Sequence, residues 1–397
     1  MSKANYLATL LIFLLLLGCE EKEPSITTTF SNPSEIKRTQ ETVSIPASQL
    51  SSLLTGHELD DILVRDEGTK TYLVVQWIDY DQDGAPEELL FQVDLDANQS
   101  KEFSILWKES GKAEQPKSTL TTYSRFVPER TDDYTWENDK VAFRTYGPEA
   151  QRLVEEGLEG GTLSSGIDLW LKKVDYSIID SWYEKNAKEQ GYYHIEHGEG
   201  HDPYHVGKSR GTGGSGVWLE DSLHISKNFV SYRTLATGPI RTVFELDYAP
   251  WSKYGIQEKK RISLDLGSNF SKYEITLSSE QALPNYAVGI TLHEGAGEVL
   301  ENKEEAWFGH WEPMGDSFVG EGILVAPKDY QNHFTNYSVV PDQSQLLILL
   351  RSNPSLTYYA GFAWTASGDV SDKGDWEEML QYKAKVLANP LEVTFGK

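Results

Sequence analysis

The chain has 397 residues, of which 39% are apolar and 24% charged, with 11 Trp, 21 Tyr and 14 Phe. That mass supports a sizeable packed core and excludes a disordered protein. A formal net charge of −25 leaves no general attraction for nucleic acid, so no nucleic-acid partner is expected, and one cysteine excludes an intramolecular disulfide or a thiolate-built metal site.

The chain opens with Lys3 and the apolar run Leu7 to Leu17. That run is too short to span a bilayer as a helix but fits the core of a secretory signal. Its end, Leu16-Leu17-Gly18-Cys19, resembles the bacterial lipobox, in which the cysteine is acylated and becomes the new N-terminus. The expectation is a signal peptide over 1–18, lipidation at Cys19, and a lipid-anchored protein of the outer membrane with the bilayer as a partner. The acidic cluster Glu20, Glu21 and Glu23 leaves the membrane face open. Residues 19–40, rich in Ser, Thr and Pro, read as a lipidated flexible tether, with one catalytic β-sandwich over 41–397.

Strand patterns then dominate. Tyr72 to Ile78 and Glu88 to Asp94 flank a turn from Asp79 to Gly84. Asp79, Asp81 and Asp83 begin like a calcium loop, but Leu90 stands where a bidentate Glu is needed, so a plain turn is expected. Further strands are expected over 141–146, 214–219, 228–236, 240–248, 259–266, 272–277, 287–292, 317–326, 345–350 and 356–364. Such even spacing predicts an all-β chain built as a large antiparallel sandwich. Helices are expected only over 149–156, 180–190 and 376–388, the last with Asp375 as N-cap and Asn389-Pro390 as its stop. No fixed-period repeat points to a propeller.

The densest chemistry lies between Tyr192 and Arg210, where four of the nine histidines, His194, His197, His201 and His205, occur among Glu196, Glu199, Asp202, Tyr204 and Lys208. Gly198, Gly200, Pro203 and Gly207 oppose a helix, so His197 and His201 do not form the helical zinc-protease motif. An extended stretch is expected to put Tyr192, His194 and Glu196 on one face. Three readings are open: a solvated polar loop, a metal site from His197, Glu199, His201 and Asp202, or acid–base catalysis by His and Tyr. A second stretch, Arg125 to Pro148, interleaves Trp136 and Tyr146 with Arg144, Glu137 and Asn138, as sugar sites do, though sandwich strands carry the same mixture. Asp168, Trp170 and Trp182 have similar character. His293-Glu294 and His310-Trp311-Glu312 are isolated pairs, read as surface or edge polarity that could complete a site in space.

Taken in order, Tyr134-Thr135-Trp136-Glu137-Asn138-Asp139, Arg144-x-Tyr146-Gly147-Pro148, Gly166-Ile167-Asp168-x-Trp170, Trp182-Tyr183, the histidine segment and Gly238-Pro239-Ile240-Arg241 resemble one bacterial family. It is the ulvan-oligosaccharide dehydratase family, formerly catalogued as a domain of unknown function, and the resemblance covers about residues 45 to 397. It implies a sandwich related to the supersandwich of sugar mutarotases and polysaccharide lyases. It also implies loss of water from a non-reducing-end glucuronic or iduronic acid linked to sulfated rhamnose, leaving a 4,5-unsaturated uronyl residue.

Such an elimination removes the C5 proton beside an anionic carboxylate and expels the C4 hydroxyl. It needs a neutraliser, a base and an acid, which Arg, His and Tyr supply without a redox cofactor. His194 and Tyr204 are the expected acid–base pair, in either order, with His197 and His201 as further catalytic contacts or ligands of a divalent metal ion. Arg144, Arg210, Lys208 and Asp168 are expected to bind an anionic uronic-acid oligosaccharide, with Trp136 and Trp182 as stacking walls. Two other functions fit these residues: a polysaccharide lyase with a sugar leaving group, and a non-catalytic glycan-binding lipoprotein.

Overall fold

The computed structural model describes residues 25–56, 58–108, 113–293, 295–340 and 343–396. The expected leader and Cys19 lie outside the described residues. Among the described residues no helix is long and apolar enough to cross a membrane.

The chain is built from antiparallel sheets, as its even strand spacing predicts. The largest has eight strands, in spatial order Phe229–Ala236, Arg241–Tyr248, Gln257–Asp265, Phe270–Ser278, Ser355–Trp364, Ser317–Val325, Trp307–Met314 and Glu298–Asn302. Opposite it lies a five-stranded sheet that includes Thr212–Leu219, Tyr286–Thr291 and Gln345–Leu350. Alternate residues of each strand point inward, so Phe244, Ile262, Tyr273, Val288, Ile348 and Phe362 meet in one core between the sheets. Gln345–Leu350 is buried at every position, which is why it reads as an unbroken apolar run. A further five-stranded sheet runs from Tyr123–Val127 through Asp133–Glu137, Ala142–Tyr146 and Asp168–Lys172 to Gly200–His201.

The outer face of the eight-stranded sheet is covered by the helix Lys373–Ala388, whose Trp376, Leu380 and Ala384 pack on Trp307, Trp311 and Leu324. Gly320 permits this approach, since a Cβ there would stand 2.5 Å from the Trp376 ring. The helix begins earlier than its apolar pattern suggests: Asp372, not Asp375, is the N-cap, its carboxylate accepting from the amides of Gly374 and Asp375.

Two expectations about the N-terminal region are corrected. Residues 25–40 are not a tether: Ser25–Ser31 is a strand paired with both Ser100–Trp107 and Glu392–Phe395. Thr28 and Phe30 alternate inward there, a period of two hidden among Ser and Pro. Nor is there one core from residue 41 onward, because Phe30, Val43, Ile62, Phe91, Phe103 and Ile105 close a second core between two smaller sheets.

Candidate active site

The histidine segment is anchored at its middle and at its C-terminal end by glycines that no other residue could replace. Gly200 has φ 118°, and a Cβ on it would lie 2.0 Å from the Leu171 carbonyl; Gly211 has φ 54°, with the Ile167 carbonyl 1.8 Å from such a Cβ. Both therefore press the loop backbone against the strand Asp168–Lys172. Tyr192–His194 forms a turn of 3₁₀ helix rather than the expected strand, so Tyr192, His194 and Glu196 do not share a strand face.

Arg144 ties this loop down from beneath. Its guanidinium bonds Asp168 at 2.6 Å and Asp202 at 2.7 Å, lies 3.7 Å from Asp133, and stands over the rings of Tyr146, Trp170 and Tyr193. Although burial disfavours its charge, Tyr146 and the three carboxylates hold it well above the usual guanidinium range. Asp202 in turn accepts from the Tyr204 amide at 3.3 Å, while its carbonyl faces His194 Nδ1 at 2.9 Å. Arg144 and Asp168 are thus bound to each other inside the protein, with one Asp168 oxygen left unpartnered, and hold the loop rather than a ligand.

One arginine cannot neutralise three buried carboxylates. Burial and then the charge of Asp168 push Asp202 well above the usual carboxylate range, and burial lifts Asp133 to about 6 against the pull of Arg144 and Arg130. A carboxyl group whose folded pKa exceeds its ordinary 3.8 binds its proton more readily folded than unfolded, so it adds stability as pH falls and loses it as pH rises through about 6. Comparing urea midpoints at pH 7.5 and 5.5, Asp133→Asn should remove a share of about 0.8 kcal/mol from the pH dependence of the wild type. An identical pH dependence in the two proteins would contradict this account of Asp133.

Beyond the loop, the inner face of the eight-stranded sheet carries a polar cluster that sequence reasoning treated as scattered. Antiparallel pairing sets His310 opposite Glu321 and Glu312 opposite Val319, and Val319 in turn opposite Trp364. Glu312 and Trp364 therefore lie in one row, two strands and about 10 Å apart. The Tyr204 hydroxyl donates to Glu312 Oε1 at 2.8 Å, its ring stacks on His293 at 4.6 Å, and His293 Nδ1 lies 2.9 Å from Glu312 Oε2. His310 Nδ1 is 3.1 Å from Glu321 Oε2, and Thr212 bonds the other Glu321 oxygen. Burial raises Glu312, but the bond from His293 and the neighbouring imidazoles outweigh it and hold the carboxyl below its usual range.

At the other end of the row His201 meets the edge of Trp364, with ring centroids 5.8 Å apart. Burial lowers His201 below the ordinary imidazole range, so the ring is neutral near pH 7, and its buried Nδ1 has no hydrogen-bond partner. Lys173 stands over the same Trp364 ring at 5.9 Å and pairs with Glu196 at 3.1 Å.

Of the other residues singled out, most lie elsewhere. His194 is turned to solvent, whereas the Tyr204 phenol points to Glu312, so these two are not brought together as an acid–base pair. His197 stacks on Tyr192 at the surface, and Glu199 accepts from Tyr176, Trp182 and Lys185. With Asp202 under Arg144, the expected metal set His197, Glu199, His201 and Asp202 does not converge. Trp136 is fully buried, stacked on Phe143 with its Nε1 bonded to Ser271, and Trp182 is packed on Trp170, so neither offers a face to a sugar. Arg210 is buried against Ser165 and the Ser215 carbonyl, where burial lowers it to about 10. Lys208 is exposed and lines a separate cavity with Lys227 and Gln343.

Larger cavities of about 400 and 640 Å³ open between the Arg38–Pro46 strand and the C-terminal helix, around Glu41, Asp265 and Lys383, and no histidine lines them. The His293 cluster instead borders a cavity of about 10 Å³, lined by Tyr204, His293 and Glu321 among others. That is room for one water or ion. The concentration of acid–base groups, rather than volume, identifies this cluster as the candidate site.

A sequence model of the family described as domain of unknown function DUF4861 matches residues 30–393. Uncharacterized protein P7 of Formosa agariphila is 49% identical over 371 residues, covering 92% of each chain. Two solved structures from Enterococcus faecalis, a protein in glycosyl hydrolase family 38 and an alpha-mannosidase, overlap 94% of the chain at 10% and 9% identity, each with a TM-score of 0.49. The chain spans about half the length of these structures, 47% and 46%.

Proposed function

We propose, for a chain that belongs to the DUF4861 family, that it is a carbohydrate-active lyase which removes water from the uronic acid at the non-reducing end of an oligosaccharide. The substrate is a glucuronic or iduronic acid linked to sulfated rhamnose, as the resemblance of the histidine segment implies. The observation that carries this reading is the row from His201 at Trp364 to Tyr204 at Glu312. A neutral imidazole stands at one end and a proton-bearing phenol at the other.

In the proposed reaction His201 takes the C5 proton, the C5–H electrons form the C4–C5 double bond, and the C4–O bond breaks. The departing hydroxide takes the Tyr204 proton and leaves as water, after which proton transfer from His201 through solvent restores the phenol. Lys173 offsets the charge that gathers on the uronate carboxylate. Arg144, locked among carboxylates, positions Tyr204 through Asp202.

The test is the ultraviolet absorbance of the new double bond on a defined uronate-terminated disaccharide. The native protein should generate it and His201→Ala should lose it by about 10²-fold or more. Equal rates in the two would overturn the role of His201. Cys19 is proposed to carry the acyl chains that hold the protein on the outer membrane, which incorporation of labelled palmitate by the native chain, and none by Cys19→Ser, would bear out.

A further inference from the structure

His293, Glu312 and Glu321 come from three separate places in the chain, yet one ligand atom of each lies within 4.8 Å of those of the other two. We infer that these three side chains form a binding site for a divalent transition-metal ion such as Zn²⁺ or Mn²⁺.

Four features beyond proximity support it. First, the donor set is chemically apt: one imidazole and two carboxylates suit such ions, whose metal–ligand distances of about 2.0–2.2 Å put tetrahedral neighbours about 3.4 Å apart, so the three side chains draw together on binding. Second, the site is buried, with Glu312 6% and Glu321 1% exposed. His310 lies 3.9 Å from Glu312 and 3.1 Å from Glu321, so imidazoles already draw the two carboxylates together at one point, where a cation can take their place. Third, each ligand is already held from behind. Tyr204 bonds the Glu312 oxygen that faces away from His293, Thr212 bonds one Glu321 oxygen and His310 the other, and the Tyr204 ring lies flat on the His293 ring. Such outer partners fix metal-ligating groups in place. Fourth, the cavity of about 10 Å³ beside His293 and Glu321 has the size of one ion or water.

Three protein ligands leave open positions, which the carboxylate and the C4 hydroxyl of a uronate can fill from the side of His201. This role of the ion rests on the dehydratase reading; its presence does not. The Asp79, Asp81 and Glu87 group also converges, but it lies on an exposed turn and has no imidazole.

The experiment uses the protein stripped with EDTA, dialysed against Zn²⁺ or Mn²⁺ and assayed by elemental analysis and thermal unfolding. About one ion per chain and a raised Tm are expected. Glu321→Gln and His293→Ala should each bring the ion content close to zero, whereas His197→Ala, at the surface beside Tyr192, should keep it. Far-ultraviolet circular dichroism identifies any variant that does not fold. Should Glu321→Gln fail to fold, the more exposed His293→Ala decides the matter. The inference is overturned if the native protein takes up neither metal, or if a folded His293→Ala binds as the native protein does. Dehydration at full rate by ion-free protein that binds no metal removes the ion and leaves the dehydratase reading. Stoichiometric binding without turnover of any uronate oligosaccharide does the reverse.

Discussion

Tyr204→Phe should lower the rate of uronate dehydration by about 10²–10⁴-fold, the range for loss of a positioned acid or base. The substitution deletes one oxygen. It keeps the ring that stacks on His293 and removes only the hydroxyl that donates to Glu312. Binding of the substrate should change little, so the loss should fall on kcat with KM nearly constant. Glu312 loses one donor and keeps its contact with His293, so the protein should stay folded. A matched variant, Tyr192→Phe, alters a phenol of the same segment that stacks on His197 instead, and should retain its rate. Steady-state kinetics on one disaccharide would decide between them, and equal rates for Tyr204→Phe and the native enzyme would remove Tyr204 from the mechanism.

Arg144→Met should destabilise the fold by about 3–5 kcal/mol, the usual cost of leaving buried carboxylates without their cation. Three aspartates surround this guanidinium, and it also contacts the rings of Tyr146, Trp170 and Tyr193. Part of the cost is offset when the carboxyls take up protons, so Arg144→Met should lose less stability at pH 5.5 than at pH 7.5. The damage should also reach activity, because Asp202 links the arginine to the Tyr204 amide. Urea unfolding followed by tryptophan fluorescence measures the first effect. A loss below about 1 kcal/mol at pH 7.5 would mean that the carboxyls are already neutral and the network is not ionic.

Much of this architecture was legible because strand periodicity is a local property. The runs 317–326, 345–350 and 356–364 could be read one at a time, and each appears within a residue of its expected bounds. The N-terminal strand Ser25–Ser31 was not legible, since its partners lie about 75 and 365 residues away and its composition is that of a linker. The histidine segment announced itself by density, and it does supply Tyr204 and His201. Density misled where it ignored depth: Arg144, Arg210 and Trp136 have sugar-binding chemistry but are sealed inside the protein. The other half of the site is assembled by pairing. His310 and Glu312 stand two apart on a strand, and the tight turn at Gly315-Asp316 sets Glu321 directly opposite His310. Reading that hairpin register would have joined the two; nothing local could have brought His293 to them.

The central claim is that this protein expels water from a sugar acid at a chain end. The most direct measurement is the mass of the product formed from a defined uronate-terminated oligosaccharide. A single product lighter by one water, with its length unchanged and its double bond at the non-reducing end, is the predicted result. Two shorter fragments, or the starting mass after prolonged incubation with folded protein, would contradict it.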